Sequence, residues 1–519
     1  MKDVDPIEFF EKNNRVFITG AGGTGKSYSV NQFCTKYDEK EVLRTASTWK
    51  AAEIIGGKTV YSAFMIDYTK TEQEEYWAVI ENFLKKAYKL TPEENENFEK
   101  WQRGSANRLI CDEFWEQDVS GVDDISEFER ADFFETHLKR CKNDPEKAEE
   151  IWQIANSYLR RLLGGTKVIV VDEISMLSSE IFERILSKIE KIGYCGKIIL
   201  SGDFYQLPPV PEEGEIQRDY CFLSPKFREF ECLELTKIQR TDDLEFSEVQ
   251  MKIRDGRVKD EWGDIDKSVD KFFRTVNIKP RGDESTFTHL FTKNREVNKY
   301  NERMIEKFKK DAKWVKYCCA DIQKNGSAID SFEEAIKKHK KKLEYSDMEL
   351  FEGMRVMTRV NKPKEGYVNG THATIREIAK NGNLVCIKDD GDEILIEKVE
   401  AGPNLNIRDE SDNVIATFIF KQYPISPAYA ITVHKSQGSS IDRVWIGSGT
   451  GGFFESGQLY TAVSRARSVK HLYCAAGIKA IKVDSIVKEF YQKIENEQLE
   501  IENKTQKDKK DDDTFLDIF

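Results

Sequence analysis

Four short runs of mostly apolar, β-branched residues mark the first half of the chain: Arg15–Gly20, Val42–Ser47, Lys167–Glu173 and Lys197–Asp203. Each ends in a small or acidic residue ahead of a turn or a helical pattern, which is the rhythm of a parallel sheet covered by helices. The rhythm returns around Phe287–Thr292, Ala428–Val433, Arg443–Ile446 and His471–Ala475 and predicts a second α/β domain. Residues 67–165 place acidic, lysine and aromatic residues at helical spacing, as in EEYWAVIENFLKKAY, and predict a mainly helical insertion. Residues 306–424 carry a lysine run, Lys337–Lys342 interrupted by His339, and then short strands separated by NG, DG and GD turns, which predicts a β-rich insertion. From about Glu495 the chain is almost purely polar and charged, too poor in apolar surface to fold alone. The expected division is 1–66 with 166–235 as a first core, 67–165 as its insertion, 236–305 with 425–494 as a second core, 306–424 as its insertion, and 495–519 as a disordered tail.

Composition narrows this picture little. A length of 519 residues allows three or four domains, each with its own core. No run of eighteen apolar residues occurs, so no membrane span is expected, and the N-terminus lacks the basic-then-apolar pattern of a secretory signal. The cytosol, or the equivalent compartment of an infected cell, is the expected location. Ten cysteines contain no CxxC pair, and reduced structural cysteines are the expectation. The net charge of −12 is no argument against a nucleic-acid partner, since a protein that tracks a strand needs a positive groove rather than a positive surface.

The candidate chemistry begins where Arg15–Gly20 runs into GAGGTGKS. Gly20, Gly22, Gly23, Thr24 and Gly25 form a loop whose backbone N–H groups can converge on phosphates; Lys26 can reach the β and γ phosphates and Ser27 can ligate Mg²⁺. In KVIVVDEISM a buried strand delivers Asp172 toward the metal and Glu173 toward an attacking water. Two carboxylates at the end of an apolar strand are costly unless a cation and a bound water compensate them. KIILSGDFYQLPPV is a further strand, with Gln206 just beyond Gly202–Asp203, where an amide can touch both the γ-phosphate and the nucleophilic water. ATP and Mg²⁺ are therefore the expected nucleotide and metal.

GAGGTGKS, ASTWKAAEIIGGKTVYSAF, VDEISM, GDFYQLPPV, AITVHKSQGSSIDRV and YTAVSRAR stand in the order found in superfamily 1B helicases, and the chain resembles the Pif, RecD and Dda group over both α/β domains. The resemblance implies two RecA-like domains in tandem with ATP between them, a helical insertion in the first and an SH3-like β insertion in the second. It also implies an ATP-dependent DNA helicase moving 5′→3′ on single-stranded DNA. Arg240 and Arg465 match the two arginines that reach the γ-phosphate across the cleft, with Arg467 as a further candidate. Thr48, Lys50, Ser62 and Phe64 match the first-domain segments that line the DNA path; Thr432, His434, Lys435 and Ser436 match the second-domain segment, and Asn369 and Thr371 fall in GYVNGTHATI, another stretch of the group. Hydroxyls and lysines suit phosphates, and an aromatic ring suits any base.

The chain departs from the group in places. No glutamine precedes the phosphate loop to read adenine, Tyr61 stands where histidine is usual, Thr241 follows Arg240 where Pif proteins carry glutamine, and the spacer from Met176 to Lys197 is short, which points nearer to RecD and Dda. The alternative function is a DNA-stimulated ATPase that remodels or strips nucleoprotein without parting strands. Phe114–Trp115 in the first insertion is the candidate strand-separating element. A monomer is expected, acting on single-stranded, forked or tailed DNA in replication, recombination or repair. The ending Phe515-Leu516-Asp517-Ile518-Phe519 resembles peptides that dock on a sliding clamp, and equally the tail of single-strand-binding proteins; a tail with no partner is the remaining option.

Overall fold

The computed structural model describes residues 5–496 apart from 49–50, 53–54, 68–69, 88–137, 210–217, 239–242, 280–286, 327–332, 341–346, 361, 368–369, 390, 402–404, 409–413, 439–440, 442, 448 and 450–451. Phe114–Trp115, Lys50, Arg240, Asn369 and the tail beyond residue 496 lie outside the described residues.

The first core is a six-stranded parallel sheet. Strands β1 (Arg15–Gly20), β2 (Val42–Ala46), β3 (Lys58–Thr59), β4 (Val168–Asp172), β5 (Lys197–Gly202) and β6 (Glu231–Leu235) stand in the order β3-β2-β4-β5-β1-β6. The four strands expected from the apolar runs are its centre, where both faces are covered and continuous apolar runs are the physical requirement. Strands β3 and β6 were not expected. The former is two residues long, and the latter, with Glu231 and Glu234, is a partly exposed edge whose side chains need not be apolar. The second core is a four-stranded parallel sheet, Ala430–Thr432, Thr288–Phe291, Val444–Ile446 and Leu472–Cys474 in that spatial order, with each strand inside an expected run.

Among the described residues, the first insertion is helical and the second β-rich. In the first, Glu72–Ala87 and Pro145–Ala155 are helices that pack together through Ile80, Leu84, Ile151 and Trp152. The second is antiparallel: one five-stranded sheet, one four-stranded sheet and a two-stranded pair. Two boundaries move. Ile425–Pro427, expected in the second core, pairs antiparallel with Arg355–Thr358 of the insertion, because the chain leaves that sheet only at Ala428. Helix 485–496, also expected in the second core, lays Phe490 and Tyr491 on the first core. Phe490 stacks on Phe222 at 4.2 Å and meets Phe204 at 5.4 Å, while the Tyr491 ring stacks on Tyr205 at 4.6 Å. Apolar spacing reports that a helix has a buried face but not which domain buries it. The lysine run begins inside a helix, Glu333–Lys340. No helix among the described residues is long and apolar enough to cross a membrane, and the described cysteines are all free.

Candidate active site

The phosphate loop joins β1 to the helix Lys26–Cys34. Gly20 has φ +141°, and a Cβ there would lie 2.3 Å from the Leu235 carbonyl oxygen of β6, so only glycine allows the strand and loop to meet this closely. Gly25, at φ 91°, caps the helix, whose N-terminal amides and dipole favour an anion. Lys26 Nζ donates to the carbonyls of Gly20 (2.7 Å) and Ala21 (3.1 Å). Burial lowers its pKa, and the carboxylates of Asp203 and Glu173 pull the other way.

Strand β4 delivers Asp172, and Ser27 Oγ donates to Asp172 Oδ2 at 3.2 Å. Glu173 takes φ 52°, a left-handed conformation unusual for a side-chain-bearing residue, which turns the carboxylate off the line of the strand. Burial first, and then the adjacent Asp172, raise the Glu173 pKa. Gln206, 4% exposed, follows β5 on a turn closed by its own N–H to the Asp203 carbonyl.

The second core meets these groups directly. Helix Gln458–Val463 brings Arg465, 2% exposed, so that Nη2 donates to Gln206 Oε1 at 3.3 Å and to Ser464 Oγ at 2.8 Å. Arg467 is exposed. Gln437 donates to Glu173 Oε2 at 3.1 Å, so the two cores touch at the carboxylate itself.

Several contacts were not foreseen. Besides Gln437, they include Tyr460, whose hydroxyl accepts from Gly22 N–H at 2.8 Å and donates to Asp203 Oδ2 at 2.9 Å, and Arg254, whose Nε lies 3.1 and 3.2 Å from the two Asp203 oxygens. Gln437 stands inside AITVHKSQGSSIDRV and Tyr460 opens YTAVSRAR, so a polar residue within a quoted motif was the available signal. Arg254 stands in an ordinary amphipathic helix and gave none.

The expected DNA-lining residues divide. Thr432 and Lys435 border a cavity of about 210 Å³ together with Asn294, Asn298, Met357 and Arg359. Partial burial, and then the charge of Arg359, lower the Lys435 pKa. Ser62 is exposed, and Thr48 caps its own turn by accepting from Ala51 N–H at 3.2 Å. His434 faces Glu455 at 3.1 Å, and Arg218 of the first core donates to the same carboxylate at 2.9 Å. Burial pushes the Glu455 pKa up, but those two partners outweigh it and hold it low.

Three expectations change. Phe64 is 0% exposed and belongs to the apolar core, so it offers no face to a base; the neighbouring Met65, at φ 51°, is the exposed residue. Ser436 is wholly buried and donates to the Val433 carbonyl at 2.7 Å, and Thr371 is buried with its carbonyl accepting from Thr358 N–H. In each case, tertiary burial takes up a side chain whose type alone suited DNA.

Comparison with known proteins agrees with this arrangement. A family model described as PIF1-like helicase matches residues 4–91 and 142–263, and one described as UvrD-like helicase C-terminal domain matches residues 427–473. The chain is similar to the ATP-dependent DNA helicase Pif1 of Bdellovibrio bacteriovorus, 26% identical over 94% of this chain and 90% of that one. It is equally similar to Pif1 of Campylobacter jejuni, 26% identical over 96% and 99%. In fold it resembles Bacteroides Pif1 bound to single-stranded DNA, with a TM-score of 0.62 at 21% identity over 96% of this chain and 98% of that one. The short spacer and Thr241 pointed nearer to RecD and Dda, whereas these matches are of the Pif1 kind. With two RecA-like parallel sheets meeting at a phosphate loop, an antiparallel insertion, and matches of this extent, the chain is similar to the PIF1-like helicases over nearly its whole length.

Proposed function

We propose that the chain is an ATP-dependent DNA helicase that moves 5′→3′ on single-stranded DNA and parts the strands of forked or tailed duplexes. The observation that carries this reading is the Gln437–Glu173 hydrogen bond of 3.1 Å. It joins the carboxylate suited to polarise water to the residue that follows the Thr432–Ser436 segment. A shift of that segment along a strand is therefore felt at the hydrolytic site.

In this reading Lys26 and the loop amides hold the β and γ phosphates, Glu173 takes the proton of the attacking water, and Gln206 orients it. Arg465 meets the charge that develops on the transferring phosphoryl group. Arg240 and Arg467 remain proposed partners in that task. Ser27 and Asp172 are two oxygen donors 3.2 Å apart, a sparse and hard set that fits Mg²⁺, which completes its shell with water and phosphate. The bound ion would supply charge neutralisation of the phosphates. Lys435 and Arg359, against the one carboxylate of Glu302, leave the lining of the cavity beside Thr432 net positive for backbone phosphates, with Thr48, Lys50, Ser62, His434 and Asn369 proposed along the same path. Residues 1–66 with 166–235 and helix 485–496, and 236–305 with 428–484, serve as the proposed cores, and the β insertion as a proposed SH3-like module. Residues 511–519 are a proposed dock for a sliding clamp or a single-strand-binding protein.

The test is strand separation on forked, 5′-tailed and 3′-tailed duplexes, with ATP and then GTP. Unwinding of forked and 5′-tailed substrates but not 3′-tailed ones is expected. DNA-stimulated hydrolysis without unwinding of any substrate would favour a nucleoprotein remodeller, and preference for the 3′ tail would overturn the polarity.

A further inference from the structure

We infer that Tyr460 is a positioning residue: its hydroxyl, anchored on Asp203, sets the place of the Arg465 guanidinium in the cleft, and Arg254 holds the anchor still. This rests on the reading of Arg465 as the arginine that meets the γ-phosphoryl group.

The Arg465 guanidinium is tied chiefly to its own segment. Its Nε donates to the Thr461 carbonyl at 2.9 Å and its Nη2 to Ser464 Oγ at 2.8 Å, both on that helical segment, beside a longer bond of 3.3 Å to Gln206 Oε1 of the first core. The guanidinium therefore travels with that segment, and whatever docks the segment places the charge.

Two contacts do the docking. Gly457, at φ 72°, lies so close to the first core that a Cβ would be 2.2 Å from the Gln206 carbonyl oxygen and 2.4 Å from that of Tyr205. One turn on, the Tyr460 hydroxyl accepts from Gly22 N–H of the phosphate loop and donates to Asp203 Oδ2, which uses its one proton. The Gly457 contact sets a distance of approach, and the Tyr460 contact sets direction, since a hydrogen bond has a preferred axis.

The anchor is rigid for a physical reason. Asp203 is wholly buried, and a buried carboxylate must keep its partners. Arg254, 3% exposed, provides them through Nε and then donates from Nη1 to Glu234 at 2.9 Å. Its guanidinium lies over the rings of Tyr205 (4.7 Å) and Tyr491 (5.0 Å), where the charge gains attraction from both faces. Tyr491 OH in turn lies 2.6 Å from Thr19 Oγ1 and accepts from Phe204 N–H at 3.1 Å. Strand β1, the turn after β5, and two helices from beyond the first core thus converge on one carboxylate, and Tyr460 is the contact that passes its position to Arg465.

Tyr460→Phe in the full chain removes one oxygen and keeps the ring. Loss of a hydrogen bond to a charged group, with the Arg465 guanidinium released by a fraction of an ångström, predicts a fall in kcat on the order of tenfold or more, with KM for ATP and affinity for single-stranded DNA within about twofold. Arg465→Ala should lower kcat further, and Tyr460→Phe added to it should cost nothing more, because the two residues act through one group. Additive losses, or a wild-type kcat in Tyr460→Phe, would overturn the inference, as would a rise in KM alone. Arg254→Lys keeps the charge but loses the two-oxygen grip on Asp203 and should reproduce the fall in kcat at constant KM; an unchanged kcat there would also overturn it. Should Arg465→Ala itself hydrolyse ATP normally, the parent reading of Arg465 fails instead.

Discussion

Lys26 and Glu173 stand at the ends of neighbouring structural pieces but meet opposite electrostatic demands. Burial presses the ammonium toward neutrality and the carboxylate toward protonation, and each charge gives the other a reason to persist. Removing either should stop turnover without touching the DNA path. Lys26→Ala and Glu173→Gln are expected to lower ATP turnover by at least about a hundredfold, on the scale of losing a group that acts on the transition state, while a fluorescent single strand still binds within about twofold. Normal turnover in either variant would refute the assignment. The glycines, Lys26, Ser27, Asp172, Glu173 and Gln206 were legible in the sequence because backbone geometry and charge constrain them within a few residues. Phe64 and Ser436 were misread because their burial is set by distant elements. Tyr460 and Arg254 escaped notice because Asp203 is 257 positions from the one and 51 from the other.

Among the elements, the helix Ser179–Lys191 carries a demand that its sequence does not advertise. Arg184 and Lys188, both buried, bond to Glu75 of the insertion helix. Lys188 also donates to the carbonyls of Phe64 (2.9 Å) and Met65 (3.0 Å), and Arg184 to those of Asp67 (3.1 Å) and Lys70 (2.9 Å). One carboxylate thus compensates two cations at the root of the insertion. Glu75→Ala strands Lys188 and leaves Arg184 only the more exposed Glu180 at 3.6 Å, and should cost about 3–5 kcal/mol, read as a lower denaturation midpoint, together with unwinding that falls more than DNA-stimulated hydrolysis. A variant as stable as wild type would mean that the cations find other partners. The alternation of acidic and apolar residues in EEYWAVIENFLKKAY foretold the helix but not that Glu75 faces inward. Periodicity gives the existence of a face, whereas a buried ion cluster depends on another element arriving opposite. Central strands were legible for the converse reason, since burial on both sides leaves an apolar run that needs no partner to be recognised.

For the molecule as a whole, a net charge of −12 coexists with a cleft walled by Lys435 and Arg359. Binding governed by that cleft releases counterions from the strand and should weaken steeply as salt rises, with a log–log slope of about −0.7 for each phosphate contacted. An affinity for single-stranded DNA that did not vary between low and physiological salt would mean that stacking, rather than phosphate contact, carries the binding. The path of the chain has a mechanical counterpart. The second core is entered through the helix bearing Arg254 and left through helix 485–496, and both come back to the first core at the Tyr205 ring, which meets Arg254 and Tyr491 together. Attachment at one ring resists sliding there more than rotation, so opening and closing of the nucleotide cleft is expected to pivot about Tyr205.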